Sequence, residues 1–166
     1  MHYYKGDYDK GIVFHTRALA IREELGDKRG MENSLYIIGA VHYYKEDYEK
    51  AKDFFEKSLT IQKEIGLKAI ELETTTYLYL TYKNLSKEYD EKEIHTLIKE
   101  TENIEYEINL YLYQLLGNKS YLDTAYNQVQ EKMNAMDEEL KEKFINYPIP
   151  KQIIEVWEKV KVILNE

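Results

Sequence analysis

The sequence predicts an all-α fold of antiparallel helix-turn-helix hairpins stacked one on the next, and three observations lead to it. The 166 residues include only two prolines and seven glycines, too few chain breakers for a turn-rich β-sandwich. Apolar residues recur at spacings of three and four, the period of amphipathic helices. The sequence also repeats itself at a fixed interval of 40 residues, which is typical of a stacked helical array.

The repeat is clearest in the N-terminal part of the chain. HYYKGDYDKG at 2–11 aligns with HYYKEDYEKA at 42–51, with seven of ten letters identical. The alignment continues to ELG at 24–26, which matches EIG at 64–66. Apolar spacing within the better copy predicts two amphipathic helices with a break near 45–47.

The second copy resembles the tetratricopeptide repeat. Gly39 is a small residue where two helices would cross, Asp47–Ala51 forms a turn whose first residue is expected to cap the next helix, and Phe55 follows one turn later, before Ser58 and Leu59. The 40-residue period is similar to that of the longer-helix subclass found in kinesin light chains, Pins-type adaptors and many bacterial signalling proteins. This resemblance implies a right-handed superhelical solenoid.

The same resemblance predicts how the chain is divided. Residues 1–134 are expected to form the repeats and residues 135–166 the helices that cap them. The repeats comprise a half repeat at 1–30, a repeat at 31–67, and degenerate repeats at 68–102 and 103–134. The last of these is expected to contain helices over 104–116 and 121–133, the second opened by a Ser120–Asp123 capping box.

The C-terminal segment predicts a short helix over 138–145 and a helix that begins at Pro148. The second helix presents an apolar stripe, with Trp157 expected to be mostly buried against the preceding unit; the stripe consists of Ile153, Trp157, Val160 and Leu164. The block 119–157 looks like the end of repeat regions in bacterial multidomain proteins. We therefore expect this chain to be the C-terminal part of a longer bacterial protein.

The first unit is only half a repeat, because His2 aligns with His42 near the end of a first helix. The helix that follows, over roughly 8–25, is expected to leave Ile12, Phe14, His15 and Leu19 partly uncovered. We expect a second copy of the chain to cover this end, giving a homo-oligomer through the truncated N-terminus.

Charge and composition exclude several classes of function. The formal charge of −8 disfavours nucleic acid as a partner, and no apolar run is long enough to cross a membrane. The chain has no cysteine, and no catalytic, metal-binding or cofactor-binding residue can be assigned because no such motif occurs. A non-enzymatic, cytoplasmic protein is expected.

The acidic stretch over 88–107 is interpreted as a solvated face, with a docking surface for a basic partner as the alternative.

In the family that the repeats resemble, the first helices line a concave groove that receives a peptide. The positions that face away from the second helix predict the lining of this groove, which is rich in tyrosine: Tyr4, Asn33, Tyr36, Ile37, Ala40, Tyr43, Tyr44, Thr76, Tyr77, Leu80, Lys83 and Asn84. The alternative is that the tyrosines only pack between helices. The lysine and asparagine clamp of chaperone-binding members is not matched at Tyr36, Ala40, Thr76 and Leu80.

The sequence therefore predicts a protein-interaction module that binds a protein or peptide partner through aromatic rings, with Asn33, Lys83 and Asn84 fixing the register by hydrogen bonds. Two alternatives remain open at this point. One is a peptide-sensing regulatory domain, and the other is a structural element that self-associates.

Overall fold

The computed structural model describes residues 7–164, and within this range the chain forms nine α-helices and no strand. The helices follow one another in the order α1 (Tyr8–Leu25), α2 (Lys28–Tyr44), α3 (Tyr48–Ile65), α4 (Lys68–Asn84), α5 (Glu91–Glu100), α6 (Tyr106–Leu116), α7 (Lys119–Asn134), α8 (Glu138–Ile145) and α9 (Pro148–Leu164). The predicted all-α, repeat-based fold is confirmed.

The chain divides into two compact units, residues 1–102 and 103–166. In the first unit each helix packs on the next, and the most extensive packing joins α2 and α3, the two helices of the better repeat. In the second unit α6 packs on α7, and α9 packs on α6, α7 and α8. The domain limits predicted from the repeats, at 134 and 135, remain a prediction.

Small residues allow α2 and α3 to cross closely. A Cβ atom placed on Gly39 would lie 2.9 Å from Cδ1 of Phe55, closer than carbon atoms normally approach. Ala51 and Ser58, also on the crossing, are fully buried. The predicted register of the repeat, with small residues at the crossing, is confirmed.

Left-handed glycines end the second helix of each copy. Gly26 and Gly66 have φ angles of 67° and 72°, a conformation that side chains with a Cβ rarely adopt. Because both glycines occupy the same position in the 40-residue repeat, α1 and α3 end alike, and α1 runs over Tyr8–Leu25 as the sequence predicts.

The predicted helix caps are partly wrong. Asp47 precedes α3, but its carboxylate makes no capping hydrogen bond and instead pairs with Lys50 at 2.7 Å and lies 3.4 Å from His42. These nearby cationic and imidazole groups compete for the oxygens that a cap would use. At α7 the capping residue is Asn118, which accepts a hydrogen bond from the Ser120 amide, so Ser120 is inside the helix.

A buried polar network ties the first unit together. The side-chain amide of Gln62 on α3 donates to the Glu32 carboxylate of α2 at 2.9 Å and to the Thr74 hydroxyl of α4 at 2.8 Å. Ser58 Oγ donates to the main-chain carbonyl of Glu32 at 2.9 Å. Hydrogen bonds between buried groups have strict geometry, so this network fixes the register of three successive helices.

The C-terminal helix closes the second unit, although Trp157 is less buried than predicted. Ile153 of α9 is fully buried, whereas Trp157 is half-buried. The indole stacks on Tyr126 with 3.9 Å between ring centroids, and its Nε1 donates to Asp123 at 2.9 Å. The polar edge of the indole thus stays near the surface to reach its carboxylate partner. The side chain of Leu164 lies outside the described residues.

Candidate functional site

Four of the predicted groove residues come together as one aromatic cluster. Tyr36, Tyr43 and Tyr44 lie on α2 and Tyr77 lies on α4; we call these four the tyrosine cluster. The ring of Tyr77 is at the centre, with centroid distances of 5.5 Å to Tyr43, 5.9 Å to Tyr36 and 6.4 Å to Tyr44. The cluster therefore joins two helices, α2 and α4, which the sequence analysis assigns to successive repeats.

The cluster has a buried floor and half-buried walls. Tyr77 is only 2% exposed because the other three tyrosines surround it and Phe55 of α3 stacks on it, with 5.5 Å between centroids. Tyr36, Tyr43 and Tyr44 are half-buried. The open alternative, that tyrosines pack between helices, holds for Tyr77, whereas Tyr36, Tyr43 and Tyr44 each keep part of the side chain exposed.

Two further positions predicted to line the groove are also buried. Thr76 and Leu80 are enclosed within the protein, and the hydroxyl of Thr76 donates back to the carbonyl of Leu72 at 2.7 Å. The prediction that Thr76 and Leu80 face outward into a groove is wrong, because both side chains are buried. Their helix, α4, is buried on most sides, so helical position alone did not distinguish the open face from the covered one.

Hydrogen bonds inside the cluster use the tyrosine hydroxyls. The hydroxyls of Tyr44 and Tyr77 are 2.8 Å apart and hydrogen bond to each other. Tyr36 donates its hydroxyl to the carboxylate of Glu73 on α4. Burial raises the pKa of Tyr43 to about 12, so its phenol stays neutral at physiological pH. The two hydroxyl bonds therefore orient the rings of Tyr36, Tyr44 and Tyr77.

The remaining predicted residues differ in exposure. Ile37 and Ala40 are half-buried, and Asn33, Lys83 and Asn84 are exposed. The side-chain amide of Asn84 donates to the carbonyl of Leu80 at 2.9 Å, which orients it at the end of α4. Tyr4, the first predicted residue, lies outside the described residues.

The sequence did not identify a second aromatic group on the other side of α4. Tyr79 and Tyr82 of α4 and Tyr89, which precedes α5, stack against one another. Their only signal in the sequence is the pair of tyrosines three residues apart on α4, followed by the acidic start of α5. Glu56 on α3 completes this group, and it is too distant in sequence to be connected with the tyrosines from the pattern alone.

Chemistry that depends on a metal has no candidate in the described part of the chain. Over residues 7–164, no group of three or more histidine, aspartate or glutamate side chains could hold a metal ion. His15 and His42 are both buried, and burial lowers the pKa of each imidazole below its usual value. Across these residues, no helix is both long enough and apolar enough to cross a membrane.

Comparison with known proteins identifies the repeat. Residues 1–64 match the family model of the tetratricopeptide repeat. Neither the curated proteins nor the solved structures give a match. Tetratricopeptide repeats are non-enzymatic scaffolds that generally mediate protein–protein interaction. The match covers the segment in which the 40-residue period is clearest, so residues 1–64 carry the tetratricopeptide repeat pattern.

Proposed function

We propose that the tyrosine cluster binds a peptide segment of a partner protein. One observation carries this proposal: three half-buried tyrosine rings from α2 surround a buried tyrosine of α4, so two successive repeats offer one continuous aromatic surface. Tyrosine is enriched at binding hot spots because its ring buries a large apolar area at little cost in side-chain entropy.

The cluster is suited to binding because its rings are already ordered. The bonds of Tyr36 to Glu73 and of Tyr44 to Tyr77 fix the rings before association. Less conformational entropy is then lost when a partner binds. An apolar side chain of the partner would cover the exposed ring edges, and Asn84, seven residues after Tyr77 and on the same face of α4, would donate to an acidic group at one end.

The wider setting of this module is also part of the proposal. We infer that the repeats serve a larger, cytoplasmic bacterial protein as its interaction module, with the longer-helix subclass as the type of repeat. The resemblance of the block 119–157 to the end of bacterial repeat regions supports this setting.

Selection from a random peptide library displayed on phage tests the binding surface. Peptides enriched on the wild-type protein should bind the double variant Tyr43→Ala/Tyr44→Ala at least about tenfold more weakly, since hot-spot tyrosines contribute roughly 2 kcal/mol. Tyr121→Ala, which removes a half-buried tyrosine of α7, is the matched control and should bind as the wild type does. No enrichment, or equal affinity for both variants, would contradict the proposal.

Self-association is a second candidate function, favoured by the open face of α1. Phe14, Ile21 and Leu25 are 68%, 58% and 76% exposed and lie seven and four residues apart, which places them on one stripe. A second copy could cover this stripe. Light scattering should then detect a dimer that Phe14→Ser/Leu25→Ser converts to a monomer; a monomeric wild type would rule this function out.

A further inference from the structure

A cleft of about 400 Å³ lies between α3, α4 and the start of α5, and we call it the acidic cleft. Its aromatic wall consists of Tyr79, Tyr82 and Tyr89. Residues two positions apart on an α-helix point about 200° away from each other, so Tyr79 faces away from Tyr77 and from the tyrosine cluster. The acidic cleft is therefore a separate site from the proposed peptide surface.

The aromatic wall is a stack of three nearly parallel rings. Tyr79 lies between Tyr82 and Tyr89, with centroid distances of 5.9 Å and 5.1 Å and interplanar angles of 23° and 29°. Tyr79 is only 5% exposed, whereas the two outer rings are half-buried. A flat group can therefore extend the stack only on an outer ring.

Negative charge dominates the lining of the acidic cleft. Four carboxylates line it against a single ammonium group among the described lining residues: Glu56, Glu88, Asp90 and Glu93, with Lys63 as the cation. Lys63 pairs with Glu93 at 2.7 Å, so one carboxylate is neutralised from within the chain. Glu88 and Asp90 are exposed and flank Tyr89 in the sequence.

Tyrosine hydroxyls orient two of these carboxylates. Tyr82 donates to Glu56 at 2.7 Å, and Tyr79 donates to Glu93. Burial and the bond to Glu56 raise the pKa of Tyr82 to about 12, so it remains a donor at physiological pH. Burial acts against ionisation of Glu93, but the bonds from Lys63 and Tyr79 outweigh it and lower the pKa of this carboxyl. Glu93 therefore stays charged.

We propose that the acidic cleft binds an arginine side chain of a partner protein. A guanidinium group is flat and cationic, so it can stack on an outer tyrosine ring while its N–H groups donate to carboxylates beside the ring. A lysine ammonium group carries the same charge but is not planar, so it cannot stack on a tyrosine ring in this way. Arginine thus matches both the stacked rings and the charge of the cleft.

Fluorescence anisotropy with labelled synthetic peptides tests this proposal. The probe is a Gly-Ser peptide with three consecutive arginines, compared with the same peptide carrying lysine or glutamate. The arginine peptide should bind the full chain several-fold more tightly than the lysine peptide, and the glutamate peptide should not bind. Glu88→Gln/Asp90→Asn should weaken the arginine complex about tenfold. Asparagine at position 90 can still cap α5, a role in which Asp90 accepts from the Lys92 amide.

The matched control removes two equal charges from the second unit. Glu138→Gln/Glu139→Gln changes two exposed carboxylates of α8 and should leave the affinity unchanged. Equal weakening by both double variants would show attraction to net charge alone and overturn the proposal, as would equal affinity for arginine and lysine peptides. Tyr89→Phe keeps the ring and should bind normally, whereas Tyr89→Leu should bind about tenfold more weakly.

Discussion

Helices α1 and α3 occupy equivalent places in the repeat, yet they differ greatly in burial. Both have 18 residues and end at a left-handed glycine. In α3 the crossing residues are buried, namely Ala51, Phe55, Ser58, Leu59 and Gln62. In α1 only Gly11 and His15 of the equivalent set are buried, and Phe14 is largely exposed. Similar sequence therefore does not give similar burial.

The difference follows from the number of neighbours. α3 packs on both α2 and α4, whereas in the described residues α1 packs closely only on α2. The contacts with the following helix are nonetheless equivalent: Arg22 donates to Ser34 at 2.6 Å, as Gln62 donates to Thr74 one repeat later. The side of α1 that faces α2 is thus packed as in a helical stack, whereas its opposite side is exposed in the described residues.

The exposure of α1 also corrects one detail of the sequence analysis. Phe14 is exposed and Ile12 and Leu19 are half-buried, as expected, but His15 is only 8% exposed. His15 is equivalent to Phe55, which faces the interior of the hairpin. Packing of α1 against α2 is therefore sufficient to enclose this position.

The largest expected loss of stability comes from truncating the ring at the position shared by Phe55 in α3 and His15 in α1. Phe55 is fully buried, contacts Gly39 and stacks on Tyr77, so Phe55→Ala should cost about 3–5 kcal/mol of unfolding free energy. His15→Ala, the equivalent change in α1, should cost less than half of that because α1 has fewer neighbours. Urea denaturation followed by circular dichroism measures both. Equal losses would show that α1 is as firmly packed as α3.

A smaller effect is expected from overfilling the crossing of α2 and α3. Ala51 is fully buried at this crossing, so Ala51→Leu should destabilise the protein by about 1–3 kcal/mol. Ala20→Leu, on the exposed side of α1, is the control and should be nearly neutral. An unchanged midpoint for Ala51→Leu would contradict the register of the repeat.

The comparison also shows which features a sequence can predict. The limits of α1 and α8 follow from local signals, since glycine stops, caps and apolar spacing act within one helix. The small residues at the crossing followed from the repeat. Features that depend on neighbouring helices were harder to predict.

The candidate site illustrates this limit. The four tyrosines lie together in the structure, and their role as the lining of a binding groove stays a prediction. Burial of Thr76 and Leu80 was not predictable, since periodicity identifies the faces of a helix without showing how many are covered. The acidic cleft combines side chains from α3, α4 and α5, which no single segment of sequence brings together.

The smallest expected effect concerns stability at acid pH. It is tested with His15→Phe, a substitution that gives α1 the residue that α3 has at the equivalent position, Phe55. Burial, with the nearby charge of Arg22, lowers the pKa of His15 below its usual value near 6.5. An imidazole with a depressed pKa contributes stability above the pKa of the unfolded chain, and this contribution is lost as the pH falls through the folded value. His42 shows the same direction of shift, caused first by burial, so two groups contribute to acid sensitivity.

His15→Phe introduces the residue found at position 55 and removes one of these two titrating imidazoles. The unfolding free energy of this variant should fall less than that of the wild type between about pH 7.5 and pH 5.5. An identical slope in the variant and the wild type would show that His15 is solvated in the folded state, and that it is not packed as Phe55 is in α3.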